Sequence, residues 1–188
     1  ASQHASVVRE AIKEELRLDR IAGPFSYPPL ENFVVSPIGV VPKKTPGKFR
    51  MIHHLSYPNG LSVNDGIAKQ FSHVQYHNVD MAIDMILSLG KGCYLAKTDV
   101  KSAFRIMPVH PDDYHLLGFH FEGGYYYDQM LAMGLSCKVF EDLSTALQWI
   151  AQNKLNITYM LHILDDFLIL APHHSECQDH LSHFQELC

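Results

Sequence analysis

Ile157-Thr-Tyr-Met-Leu-His-Ile-Leu164, Asp165-Asp166, Phe167-Leu-Ile-Leu-Ala171: two apolar runs interrupted by adjacent carboxylates decide the fold of this chain. Charges between apolar strands need compensation, so the stretch predicts a strand, a tight turn carrying the two acids and a returning strand. Such a hairpin presents carboxylates at a sheet end, where a divalent cation can neutralise them. Asp99, which ends the run Cys93-Tyr-Leu-Ala-Lys-Thr98, has the same setting. Two strand-borne acidic sites suggest one two-metal centre for phosphoryl transfer. Taken alone, Asp165-Asp166 reads equally as a polar turn, and Asp99 as a strand-end or helix-capping residue.

Working outward, Leu116 to Phe121 and Tyr125 to Met130 flank Glu122-Gly123-Gly124, which predicts a second hairpin. Val139, Leu143, Leu147 and Ile150 recur at helical spacing within Ser136 to Asn153, and another helix is expected from near Ser175. Val79, Ile83, Ile86 and Leu87 predict a helix closed by Gly90, just before the Asp99 strand. In the first half, Val8, Ile12, Leu16 and Ile21 mark an amphipathic helix. Gly23 to Pro29 is expected to be irregular, Val34 to Val41 and Phe49 to His54 form a hairpin around Thr45-Pro-Gly47, and Tyr57 to Phe71 is a loop. The fold class is α+β, an antiparallel sheet with helices packed on one face.

With 188 residues, 47% hydrophobic and 19% charged, the chain is of ordinary globular composition. No apolar run approaches the ~20 residues that span a bilayer. The N-terminal residues carry no basic-then-apolar secretory pattern, so the expectation is no membrane partner and an intracellular setting, cytoplasm or nucleus. Four widely spaced cysteines predict reduced thiols. The net charge of −5 conceals an asymmetry: residues 1–105 hold 13 basic and 9 acidic groups, whereas residues 106–188 hold 2 and 11. Residues 36–54 carry Lys43, Lys44, Lys48 and Arg50 with no acid, a field suited to phosphates. His173, His174, Cys177, His180 and His183 lie at helical spacings that suit either zinc or an ordinary polar helix surface.

Six stretches together carry a family resemblance. They are Ile21-Ala-Gly-Pro-Phe25, Asn32-Phe-Val-Val-Ser-Pro-Ile-Gly-Val-Val-Pro-Lys-Lys44, Lys48-Phe-Arg-Met-Ile52, Thr98-Asp-Val-Lys-Ser-Ala-Phe-Arg105, Met133-Gly-Leu-Ser136 and Leu164-Asp-Asp-Phe-Leu-Ile169. In this order and spacing the chain resembles the fingers and palm of a reverse transcriptase, and more narrowly those of DIRS-like tyrosine-recombinase retroelements. The resemblance implies a right-hand polymerase architecture: fingers over residues 1–92, with an N-terminal helix, a basic hairpin and a connecting helix, then a palm over 93–188. It implies an RNA-directed DNA polymerase that joins dNTPs to a primer 3′-hydroxyl on an RNA or DNA template.

By that resemblance Asp99, Asp165 and Asp166, with the carbonyl of Val100, hold two Mg²⁺ ions, for which Mn²⁺ can substitute. Lys43 and Arg50 grip the triphosphate, Phe104 is the steric gate beneath the sugar, and Met133 and Gly134 line the nucleotide. Lys44 or Lys48 can replace Lys43 in that role, and Phe104 taken alone reads as core. Two departures stand out: Ile163-Leu164-Asp165-Asp166 replaces the common Tyr-x-Asp-Asp, and Met133 stands where many members have a hydrogen-bonding Gln. The chain stops at Cys188, before the family's thumb and any RNase H or recombinase domain, so weak grip on primer and template is expected of it alone. Two other functions fit parts of the pattern: a non-catalytic palm that binds nucleic acid or protein, and an RNA-dependent RNA polymerase, which Phe104 disfavours.

Overall fold

The computed structural model describes residues 4–43, 45–136 and 138–188; Lys44 and Cys137 lie outside them. Helices and antiparallel strands alternate in two compact units. One contains the residues up to Lys69 together with Phe104–Ser136, the other Gln70–Ala103 together with the residues after Ser136.

The first unit opens with α1 (Ala5–Arg17), whose Val8 and Ile12 are buried one turn apart. They pack with Ile21, Phe119 and Phe121, and Ile38, Val40, Met51 and Tyr126 close the cluster. β2 (Ile38–Pro42) and β3 (Phe49–His53) form the expected basic hairpin, with Val41 opposite Arg50. β2 starts four residues later than the apolar run. The Ser36 N–H is already given to the Gly118 carbonyl, and Pro37 has no N–H to give.

β1 (Ile21–Phe25) corrects the expectation of irregular chain after Gly23. It pairs antiparallel with β6 (Gly124–Asp128), with a register shift between Ala22 and Phe25. In the order β1-β6-β5 it is an edge strand, where a bulge accommodates Pro24 without breaking a central ladder. β5 (Gly118–Phe121) turns into β6 through Glu122 and Gly123, both at positive φ, a two-residue turn that matches strand twist.

A buried ionic cluster holds this unit together. Arg105 pairs with Glu15 of α1 at 2.6 Å and with Asp128 of β6 at 2.7 Å, and the other Asp128 oxygen lies 3.0 Å from His53 Nδ1. Burial alone would lower the pKa of the guanidinium, but the two carboxylates outweigh it and the net shift is upward.

The second unit is a three-stranded sheet with β8 (Asp166–Ala171) between β4 (Tyr94–Asp99) and β7 (Tyr159–Ile163), all antiparallel. α2 (Val79–Leu89) precedes β4, capped by Asn78, which accepts from the Met81 N–H at 3.0 Å. α3 (Val139–Lys154) and α4 (His174–Leu187) cover the same sheet face. His162 and Phe167 stand directly opposite each other across β7 and β8, so they share a side. His162 meets Glu141 and Gln148 of α3, while Phe167 packs on Phe184 of α4 at 4.7 Å between ring centroids. Helices on one face of an antiparallel sheet are what the sequence predicted.

The two compact units interleave along the chain: β5 and β6 pair with β1, while α2 belongs with β4, β7 and β8. One expectation needs correction. On α3 the buried face is Phe140, Glu141, Ser144 and Ala151, whereas Val139 of the apolar stripe is exposed. Polar partners, and not apolar periodicity alone, orient this helix.

Candidate functional site

The register of the second unit brings two of the three acids together. Asp99 and Asp166 are direct cross-strand partners, the last residue of β4 against the first of β8. Positions alternate between faces, so both lie on the side away from His162 and Phe167, with Lys97 two residues before Asp99. The turn sits one residue earlier than expected: Leu164 and Asp165 occupy it, and Asp166 already pairs with Ile163. Asp165 is anchored through its carbonyl, which accepts from the Val100 N–H at 3.0 Å. Backbone bonding thus ties the turn to the end of β4.

Lys97 Nζ lies 3.0 Å from Asp166 Oδ1, both side chains more than half exposed. Cross-strand carboxylates repel. The ammonium offsets one of them where a cation could offset both. Among the described residues no three His, Cys, Asp or Glu side chains converge closely enough to hold a metal ion. The donor set itself fits Mg²⁺: oxygen ligands only, Asp99 and Asp166 exposed to water, with their opposite Cβ atoms roughly 4.5–5.5 Å apart. The Val100 carbonyl already accepts from the Ala103 N–H at 3.3 Å and keeps a second lone pair.

In the first unit the basic hairpin divides its residues by face. Ile38, Val40 and Met51 pack toward α1, so Val41 and Arg50, and beyond the strand Lys43 and Lys48, fall on the opposite side. The Lys43 N–H donates to the Lys48 carbonyl at 2.8 Å, which closes the turn. Lys43, Lys48 and Arg50 are all exposed, and among the described residues none pairs with a carboxylate. Three unbalanced cations give that face a positive field.

Met133 and Gly134 form a turn in the same unit. Gly134 has φ +126°, and a Cβ there would collide with the His53 carbonyl, so glycine is required. Asn64 clamps the segment: its amide donates to the Gly134 carbonyl at 2.8 Å and its Oδ1 accepts from the Ser136 N–H at 2.8 Å. Nothing in the local sequence marked Asn64 as more than a loop residue. Phe104 is half-buried in a 3₁₀ turn, Ala103–Ile106, directly before the anchored Arg105.

The His/Cys set of α4 does not gather into a metal group. Cys177 and Phe184 turn inward seven residues apart, and burial raises the Cys177 thiol pKa, with Glu176 adding to it. His173 and His183 are exposed. The residue that the sequence did not single out is Glu141; it and His162, read from the sequence as a strand residue and found in β7, are both under a tenth exposed, beneath the acid-bearing turn. The signal available was polar residues at 141, 144 and 148, spaced three and four apart along a helix.

Among the described residues, no helix is long and apolar enough to cross a membrane. No family model and no curated protein matches the sequence. Solved structures do match the fold. A crystal structure of the prototype foamy virus protease-reverse transcriptase, a CSH mutant, superposes with a TM-score of 0.71 at 19% identity over 98% of this chain. The foamy viral protease-reverse transcriptase dRH in complex with double-stranded DNA gives 0.71 at 19% over 96%. A further complex of that enzyme with double-stranded DNA gives 0.70 at 21%, also over 96%. The chain spans 22%, 28% and 34% of the length of these three structures. The likeness establishes a reverse-transcriptase-like fold.

Proposed function

We propose that this chain is the fingers and palm of an RNA-directed DNA polymerase, kin to DIRS-like retroelements, with β4, β7 and β8 as palm and the β2–β3 hairpin as part of the fingers. The observation that carries this reading is the register pair Asp99–Asp166 with Asp165 in the adjoining turn. It puts three carboxylates at one sheet end, where charge accumulates unless cations bind. The similarity to protease-reverse transcriptases, two of them in complex with double-stranded DNA, supports a primed template as partner.

In this mechanism Asp99, Asp165 and Asp166, with the Val100 carbonyl, would hold two Mg²⁺ ions, or Mn²⁺ in their place, which would supply activation of a primer hydroxyl and stabilisation of the leaving pyrophosphate. The protein contributes chiefly position and charge. Lys43 and Arg50 neutralise the triphosphate, Arg with its planar fork and Lys as a point charge. Met133 and Gly134 line the nucleotide, with their turn held by Asn64. Phe104 leaves no room for a 2′-hydroxyl, which selects dNTPs; a Phe104→Val chain with an unchanged dNTP-to-rNTP ratio would remove that assignment.

The direct experiment is primer extension by the wild-type chain and by Asp165→Asn, with primed template, dNTPs and Mg²⁺. The expected result is synthesis by the wild type and a loss of about a thousandfold in the variant, on the scale of removing a charge-stabilising group from an active site. Undiminished synthesis by Asp165→Asn would overturn the metal role. A non-catalytic palm is the second reading, favoured by the carboxylates that do not converge and by the ammonium beside Asp166. Metal-independent binding of nucleic acid, without Mg²⁺-dependent dNTP binding that needs Asp99, would support it.

A further inference from the structure

Beneath the Leu164-Asp165 turn lies a polar cluster that the proposed chemistry does not use. Glu141, in the first turn of α3, is 7% exposed, a costly place for a carboxylate without partners. Its Oε2 accepts from the Leu164 N–H at 3.1 Å; its Oε1 lies 3.1 Å from His162 Nε2, an ion pair when the imidazole is protonated and not a hydrogen bond in geometry. His162 Nδ1 in turn lies 2.5 Å from Gln148 Oε1, two helical turns along α3 from Glu141. Between them, Ser144 is fully buried, and its hydroxyl has no partner among the described residues. The polar residues 141, 144 and 148 thus form one stripe that faces the imidazole.

The bonded amide belongs to a strained residue. Leu164 has φ +54°, a left-handed conformation that side chains bearing a Cβ adopt at a cost of about 1–3 kcal/mol. Glycine or asparagine would be the ordinary choice at this turn position. A strained, γ-branched residue persists only where its surroundings fix it. Here the fixing group is Glu141: β7 and β8 pair Ile163 with Asp166 across the turn, and the carboxylate takes the Leu164 N–H inside it.

We propose that Glu141, braced by His162 and Gln148, is the positioning residue of the Asp165-Asp166 turn, holding it in the one conformation that aims both carboxylates at the same cations. This rests on the polymerase reading of the acids. Glu141 touches neither nucleotide nor metal; it acts through Leu164. A buried ion pair that merely joined α3 to β7 would need no bond to the turn.

The test compares Glu141→Ala with Glu141→Gln. Glutamine keeps the bond that the proposal needs, its oxygen accepting from the Leu164 N–H. In Glu141→Ala the kcat for dNTP incorporation falls by about 10–100-fold, the range typical of residues that orient metal ligands, while KM for dNTP stays near the wild-type value. Amide hydrogen exchange at Leu164 quickens in parallel. Glu141→Gln restores the rate to within a few-fold and restores the slow exchange. Wild-type kcat in Glu141→Ala, or equal impairment in Glu141→Gln, overturns the proposal. If Glu141→Ala does not fold, the wild-type protein decides: Leu164 exchanging as fast as an unprotected amide overturns it. If the wild-type chain neither incorporates nucleotide nor binds dNTP in the presence of Mg²⁺, the polymerase reading falls, and the hold of Glu141 on the turn is judged on Leu164 exchange in wild type and Glu141→Gln alone.

Discussion

The two ionic clusters of this chain follow opposite rules. Around Arg105 opposite charges alternate: Glu15 and Asp128 flank the guanidinium, Arg20 lies 3.9 Å from Glu15, and the side chains of Arg105 and Asp128 are 14% and 7% exposed. Around Asp99, acids are added to acids, the side chains face water, and Lys97 offsets only Asp166. A closed cluster in the interior fixes architecture: it ties α1, β6 and the 3₁₀ turn carrying Arg105 into one body. An open cluster of one sign costs stability and persists only where something outside the chain completes it. Under the proposed polymerase reading, the difference separates a structural use of charge from a functional one.

The largest effect expected is in the closed cluster. Replacing Arg105 with Met leaves Asp128 and Glu15 without their shared cation, and removal of one partner from a buried pair costs about 3–5 kcal/mol. Chemical denaturation should show the unfolding free energy falling by that amount, through a lower midpoint at an unchanged slope. A loss under about 1 kcal/mol would mean that the cluster behaves like a surface pair and would erase the contrast. Because Arg105 directly follows Phe104, its loss also frees the turn that carries that ring.

What the sequence made legible follows the same division. The hairpins were readable because their signals are local: Glu122-Gly123 demands positive φ, and Asp165-Asp166 interrupts an apolar run. Asp99 was legible as a strand-end acid, yet its partnership with Asp166 is a matter of long-range register, which no local pattern encodes. β1 was lost because Gly23 and Pro24 suggest irregular chain, while an edge position with a bulge accepts both. Glu141 was missed for a related reason. A buried carboxylate is discouraged by composition rules, and only the helix orientation reveals that it meets a turn amide and an imidazole. Residues that act through another residue leave no motif of their own.

The smaller effects test the open cluster and should carry the opposite sign. Asp99→Asn removes one of two like charges held directly opposite each other, a pairing worth a few tenths to about 1 kcal/mol of destabilisation. In low salt without divalent cations the variant should melt at or above the wild-type temperature, even as it loses Mg²⁺-dependent nucleotide binding. A clear drop in Tm would show that Asp99 is structural, like Asp128. Lys97→Met gives the finest discrimination. Its exposed pair with Asp166 contributes at most about 1 kcal/mol, so melting should fall slightly in EDTA. Bound Mg²⁺ stabilises by mass action in proportion to its affinity for the folded site. With the competing ammonium gone, the rise in Tm on adding Mg²⁺ should therefore be larger in Lys97→Met than in wild type and smallest in Asp99→Asn. An equal rise in all three chains would mean that the cation binds elsewhere, and the acids at the ends of β4 and β8 would then be open without being functional.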